Sequence, residues 1–160
     1  MKLRSEVKPE DRDAVRQLVT ATGLFRAGAV DVAAELVEAR LTRGEASGYE
    51  FVFAEQKGQL AGYICYGKNT LTISSYDVYW IVVDPARQGR GIGRLLLEEA
   101  ERNIQAAGGT RIYIETSHRP DYAPTRGFYE RCGYVQEALL VDFYAPGDGK
   151  AIYTKILTSS

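Results

Sequence analysis

The chain has 160 residues, 45% hydrophobic and 26% charged, with a formal net charge of −1: enough to bury one substantial core, without the net basicity that attracts nucleic acid or an anionic lipid surface. No apolar run approaches the roughly 20 residues that cross a bilayer, and Met1-Lys2-Leu3-Arg4-Ser5-Glu6 opens no apolar signal segment, so a cytoplasmic location is expected. The two cysteines, Cys65 and Cys132, lie far apart, and the lone histidine, His118, has no metal-ligand spacing around it, so no metal is expected.

Pro9-Glu10-Asp11-Arg12-Asp13 marks a helix start with acids in its first turn, and Ala14, Val15, Leu18 and Val19 supply its apolar face up to about Gly23. Val30, Ala33, Leu36, Val37 and Leu41 continue at helical spacing to Gly44 and predict a second helix. Beyond Gly44 the period becomes that of strands. Phe51 to Ala54 and Leu60 to Tyr66 flank the polar Glu55-Gln56-Lys57-Gly58-Gln59, the pattern of an antiparallel hairpin. The β-branched and aromatic stretch ending at Asp84-Pro85 predicts a strand over Tyr76 to Val83. Ile92, Leu96, Ala100 and Ile104 recur every four residues with Leu95 beside them, and predict a helix that stops at Gly108-Gly109. Arg111 to Thr116 predicts another strand, and a strand–helix–strand crossover of this length implies parallel pairing. A short helix over roughly Tyr122 to Cys132 follows, then closing strands over Tyr134 to Phe143 and Ala151 to Leu157, joined by a turn at Ala145-Pro146-Gly147-Asp148-Gly149. The expectation is a single α+β domain over 1–160, with a mostly antiparallel sheet, one parallel βαβ unit and helices on both faces.

Between the strand ending at Val83 and the helix at Ile92 stands Arg87-Gln88-Gly89-Arg90-Gly91-Ile92-Gly93. Glycine gives up more backbone freedom on folding than any other residue, so this alternation marks a turn with a purpose. A strand that feeds a glycine-rich turn into a helix N-terminus aims free N–H groups and the positive end of the helix dipole at one point, an anion site to which Arg87, Arg90 and Arg94 add charge. A triphosphate-binding P-loop is disfavoured, because Gly93 is followed by Arg94 and not by Lys-Ser/Thr. A dinucleotide-dependent oxidoreductase is the weaker alternative. Gly89-x-Gly91 and the strand-end acid Glu115 fit it, but Arg94 takes the third glycine position and antiparallel strands come first.

Gln88-x-x-Gly91-x-Gly93 resembles the Q/R-x-x-G-x-G/A acyl-CoA signature of the GNAT superfamily of N-acetyltransferases. Val82-Val83-Asp84-Pro85-Ala86-Arg87-Gln88-Gly89 before it resembles that family's strand and entry turn, and Phe128-Tyr129-Glu130-Arg131-Cys132-Gly133-Tyr134 resembles its F-Y-E-x-x-G-F/Y segment. The similarity runs over roughly Phe51 to Leu157. It implies acetyl-CoA as co-substrate, an acyl-CoA-binding core over 51–134, closing strands over 134–157 and a substrate-side helical region over 1–44.

The same resemblance implies the site. Pyrophosphate is expected on the N–H groups of Gly89, Arg90, Gly91, Ile92, Gly93 and Arg94, supported by Gln88, with the pantetheine arm along the backbone of Ile81, Val82 and Val83. Where the family often has an asparagine seven residues before its tyrosine, this chain has Tyr122, and Thr125 or Arg126 is expected to take over a cofactor contact. Tyr129 is expected to touch the cofactor and to protonate the leaving thiolate, and Asp77 or Glu115 to act as base. The reaction implied is direct attack by a primary amine of a small molecule or peptide, within a ternary complex. From the residues themselves, Tyr76, Tyr79, Trp80, Tyr122 and Tyr144 with Asp77, Glu115, Asp142 and Asp148 make an aromatic and acidic set suited to a small cationic amine. A non-catalytic acyl-CoA-binding sensor is the rival from another functional class. The β-rich C-terminal part offers an edge for a homodimer.

Overall fold

A computed structural model describes residues 1–158. In chain order the elements are β1 (Lys2–Arg4), α1 (Asp11–Thr22), α2 (Ala27–Arg43), β2 (Glu50–Gln56), β3 (Gln59–Lys68), β4 (Ser75–Val83), α3 (Ile92–Ala106), β5 (Arg111–Ser117), α4 (Ala123–Arg131), β6 (Val135–Ala145) and β7 (Asp148–Ile156). The sheet order is β1-β2-β3-β4-β5-β7-β6. β4 and β5 pair in parallel, while β1 with β2, β2 with β3, β5 with β7 and β6 with β7 are antiparallel. This is the mixed α/β architecture anticipated from the hydrophobic periods. Two compact units share it, Met1–Gly67 with Trp80–Asn103, and Lys68–Tyr79 with the chain from Ile104 onward.

In the first unit the β2–β3 hairpin is buried on both faces, which is why its strands read as continuous apolar runs without alternation. Phe51, Phe53, Tyr63 and Cys65 meet Val15, Leu18 and Val19 of α1 and Ala33 and Val37 of α2 in one core cluster. On the opposite face Gly62 lies against Ile92 and Leu96 of α3. The sequence reading missed β1, whose three residues are too few and too polar to show a period. Charge holds it in place. The Arg4 guanidinium, 9% exposed, donates to both carboxylate oxygens of Asp11 at 2.7 and 2.9 Å and to Glu55 at 2.8 Å, and lies 4.6 Å from the Phe53 ring centroid.

The stripe on α3 differs in one residue from expectation. Ile92, Leu96, Ala100 and Ile104 are buried as anticipated, but the leucine that joins them is Leu97, at 1% exposure, while Leu95 is 40% exposed. At about 100° per residue each four-residue step advances the stripe by about 40°, which carries it toward Leu97 and away from Leu95.

In the second unit β5 and β7 pair over seven residues, from Arg111↔Ile156 to Ser117↔Lys150. Alternation puts Tyr76, Val78, Ile112, Ile114, Ala151 and Tyr153 on a buried face. The turn between β6 and β7 is tighter than the five residues anticipated: Ala145 pairs with Asp148, leaving Pro146 and Gly147 as the turn. Proline presets φ at the first turn position, Gly147 takes φ 79° at the second, and the Asp142 carboxylate accepts the Gly147 N–H at 2.9 Å.

Candidate active site

The glycine stretch of the first unit is a rigid entry into α3. Asp84 accepts the Ala86 N–H through its side chain at 3.0 Å, and its own N–H reaches the Ala61 carbonyl at 2.8 Å, so the chain leaves β4 in a fixed direction. Arg87 is part of this frame. Its guanidinium donates to Gln59 at 2.7 Å, to Asp84 at 3.2 Å and to the Leu60 carbonyl at 3.5 Å, binding the turn to the start of β3. Gly89 and Gly91 take φ of 79° and 80°, values that L side chains rarely adopt. An added Cβ at either would meet no heavy atom within 4 Å, so both open outward.

The Gly91 carbonyl accepts the Leu95 N–H at 3.1 Å as the first bond of the helical ladder. That leaves the N–H groups just after it directed out of the helix N-terminus, at the positive end of a 15-residue dipole. Gln88, Gly89, Arg90 and Gly91 are exposed there, Gly93 sits in the first turn of α3, and Arg94 is 3.8 Å from Glu98. Ile81, Val82 and Val83 are the last residues of β4 before this turn.

A second site forms in the other unit. β4 and β5 pair over Ser75↔Arg111 to Val78↔Ile114, which sets Asp77 opposite Tyr113. Asn69, Asp77, Val78, Tyr79, Tyr113, Glu115 and Tyr144 line a cavity of about 370 Å³. Asn69 donates its amide N–H to Asp77 at 3.4 Å and accepts the Leu71 N–H at 3.1 Å, which ties the carboxylate to the turn before β4. Burial lifts the Asp77 carboxyl above its ordinary range, the Asn69 hydrogen bond opposes this, and the charge of Glu115 adds to the rise. Burial, then the charges of Glu115 and Asp148, likewise raise the Tyr144 phenol.

Of the residues singled out by sequence, this cavity gathers Asp77, Tyr79, Glu115 and Tyr144. Others stand elsewhere. Trp80 packs edge-on against Phe25, at 5.0 Å between ring centroids, beside the α1–α2 core. Tyr76 is on the buried face, and Tyr122 lies under the Arg119 guanidinium at 5.3 Å. Asp148 is buried and accepts the Ser117 hydroxyl at 2.5 Å, and Asp142 holds the Gly147 turn. Arg126 donates to the carbonyls of Ser117 at 3.0 Å and Arg119 at 2.8 Å, bracing the connection into α4, where Thr125 lies one residue earlier.

Tyr129 is 4% exposed on α4, against the rings of Phe128, Tyr134 and Tyr153. Tyr153 projects from the opposite face of β7 to its neighbour Ile152, which is the cross-strand partner of Glu115. Tyr129 therefore packs on the buried side of the sheet. Burial pushes its phenol well above the ordinary range, so the hydroxyl keeps its proton throughout neutral pH. Sequence reasoning missed Lys150. Its ammonium lies 3.0 Å from Glu115, 3.7 Å from the Phe143 ring centroid and 5.9 Å from that of Tyr144. No motif flags such a lysine. The signal was only the pairing of a strand-end acid with a base on the adjacent strand, and that requires knowing the register.

The family model for the acetyltransferase (GNAT) domain matches residues 47–136. A crystal structure of a GNAT-family protein from Desulfovibrio desulfuricans is 46% identical, with a TM-score of 0.96 over 98% of this chain and 99% of that one. The N-alpha-acetyltransferase RimI of Mycobacterium tuberculosis is 36% identical over 95 residues, 59% of this chain and 57% of that protein, so the match spans little more than half of its length. An aminoglycoside 6'-N-acetyltransferase crystallised with coenzyme A shares the fold, with a TM-score of 0.79 at 18% identity over 100% of this chain and 99% of that one. The glycine turn into α3, the parallel β4–β5 pair and these similarities agree, and the chain belongs to the GNAT acetyltransferase family.

Proposed function

We propose that this chain, acting as one acetyltransferase domain, transfers the acetyl group of acetyl-CoA to an amine of a cationic small molecule or peptide by direct attack. The observation that carries the reading is the glycine turn: two exposed glycines at positive φ, clear of any heavy atom within 4 Å of a Cβ, at the N-terminus of a 15-residue helix. Such a cradle fits the pyrophosphate of coenzyme A. The coenzyme A bound in one structural relative supports the same ligand.

Acetyl-CoA supplies a thioester, an acyl group already activated for transfer. The N–H groups from Gly89 to Arg94 bind its pyrophosphate, with Gln88 shaping the entry and Arg90 adding positive charge. Ile81, Val82 and Val83 offer backbone donors and acceptors to the pantetheine amides, and one such N–H polarises the acyl carbonyl. An amine arrives protonated at neutral pH, and Asp77 is assigned as its base. Its raised affinity for a proton, caused first by burial, moves it toward the pH at which it must work. Tyr129 is assigned, by its place in the F-Y-E-x-x-G-Y segment, to hydrogen-bond the departing sulfur and to protonate it as the thiolate forms, although burial makes its phenol a weaker acid than a free one.

Thermal shift with acetyl-CoA, free CoA and NAD tests the donor: stabilisation by NAD alone would refute the reading in favour of a dinucleotide enzyme. Thiol release from acetyl-CoA across a panel of amines separates enzyme from sensor. At least one amine class is expected to accelerate release, with Tyr129→Phe lowering kcat by about 100-fold or more, in keeping with loss of a general acid.

A further inference from the structure

The acceptor pocket carries two carboxylates, Asp77 and Glu115, yet they are not electrically equivalent. Glu115 on β5 is opposite Ile152 of β7 in the antiparallel register, which places Lys150, two residues earlier, on the same face. The Lys150 side chain is 12% exposed, and its ammonium meets Glu115 at 3.0 Å. Two aromatic rings of β6 complete its surroundings: Phe143, with its centroid 3.7 Å away, and Tyr144, itself a pocket wall, at 5.9 Å. A cation held between a carboxylate and two ring faces is fixed in place. Asp77, by contrast, has an uncharged partner, the Asn69 amide, and among the described residues no basic group forms an ion pair with it.

We propose that Lys150 sets the charge rule of this pocket: it offsets Glu115 and leaves Asp77 as the principal negative charge offered to the acceptor, which favours an amine with a single positive charge over a diamine. The inference rests on the acetyltransferase reading above and adds a specificity-determining residue to it. A second ammonium that sought Glu115 would lie beside Lys150 and be repelled by it. Removing the lysine charge exposes Glu115 and turns the pocket into one for dications.

The test compares n-pentylamine with 1,5-diaminopentane, which differ by one ammonium at equal chain length, in Lys150→Met, Lys150→Arg and the parent. Kd for each amine is measured by NMR titration and kcat/KM by thiol release from acetyl-CoA. Lys150→Met is expected to shift the diamine-to-monoamine ratio toward the diamine by about tenfold, less than a buried charge would give because Glu115 is half exposed and screened. The shift should shrink in added salt, and Lys150→Arg should keep the parental ratio. Loss of packing alone would weaken both amines equally and leave the ratio unmoved. Lys150→Gln replaces Lys150→Met should the latter fail to fold. A parent that binds and acetylates the amines, with ratios unchanged in Lys150→Met or Lys150→Gln, overturns the role of Lys150 and leaves acetyl transfer standing. A parent that neither binds the amines nor releases thiol with any of the panel overturns the acetyltransferase reading, and the charge rule with it.

Discussion

Gly62 is the position where one added methyl group should do the most measurable harm. It lies in β3 with ordinary backbone angles, so the cost of Gly62→Ala is steric and owes nothing to φ. The new Cβ would stand 2.8 Å from the Val82 carbonyl oxygen, 3.2 Å from Leu96 Cδ1 and 3.3 Å from Ile92 Cγ2. The two side-chain atoms can yield by a few tenths of an ångström, but the Val82 oxygen is backbone and moves only with its strand. Overpacking of this kind costs about 1–3 kcal/mol. For a chain of this size each kcal/mol lowers Tm by about 2–4 °C, so a drop of about 4–8 °C is expected at the middle of the range. Val82 and Ile92 are also residues assigned to the acyl donor, so Gly62→Ala should reduce the thermal stabilisation given by acetyl-CoA. Gly28→Ala in α2 is the control. Its Cβ would meet nothing within 4 Å, and in a helix the change gains up to about 1 kcal/mol. Thermal unfolding followed by circular dichroism, with and without acetyl-CoA, reads both effects. A Gly62→Ala protein that melts at or above the parental temperature would show that the Val82 carbonyl yields to the added methyl at no cost.

Three further outcomes are expected. Tyr63→Phe should leave stability unchanged or raise it by about 1 kcal/mol in urea unfolding, because the Tyr63 hydroxyl is fully buried with no hydrogen-bond partner among the described residues. A marked loss would mean that the hydroxyl is satisfied after all. Asp11→Ala should destabilise by about 3 kcal/mol, since it strips a nearly buried guanidinium of its bidentate partner and leaves Glu55 alone to compensate Arg4. The same urea midpoint checks it, and a loss below about 1 kcal/mol would make β1 dispensable. Asp77→Asn tests the pH linkage. Because burial raises the Asp77 carboxyl in the folded chain above 3.8, the folded state holds its proton longer than the unfolded one, so this group's contribution is fully present below about pH 4 and is lost as pH rises through the folded value. Asp77→Asn should remove that decline, seen as a flatter stability profile on the acid side of neutrality, and a profile parallel to the parent's would contradict the shift.

Much of the architecture was written in short-range pattern. Apolar spacing announced α1, α2 and α3, the polar interruption at Glu55 to Gln59 announced the β2–β3 hairpin, and Gly23 and Gly108 marked helix ends. β1 escaped because it is held by Arg4 reaching across to Asp11 and Glu55, a long-range pairing that has no period. Leu95 adjoins the stripe only near its start, and the drift of about 40° with each four-residue step leaves it behind and takes in Leu97 instead. The tight turn at Pro146-Gly147 was blurred by the turn-forming residues on either side of it.

The candidate sites divide along the same line. The glycine stretch from Gln88 to Gly93 was legible because the geometry it needs is local: positive φ at consecutive turns can be met by glycine and by little else, so the composition itself carries the conformation. The cavity lined by Asp77 and Glu115 was not local. Which of the many tyrosines and acids face one cavity depends on register between strands that are distant in sequence, and that register sends Trp80 and Tyr76 into packed cores while gathering Asp77, Tyr79, Glu115 and Tyr144. Lys150 is the sharpest instance, an unremarkable base by sequence that the β5–β7 pairing sets 3.0 Å from Glu115. Most of the secondary-structure elements and the glycine turn could be read from the chain alone, because they follow from the bonding and sterics of neighbouring residues. Which charges meet in the cavity had to wait for the fold, because electrostatic partnership is set by distance in space, which strand pairing alone supplies.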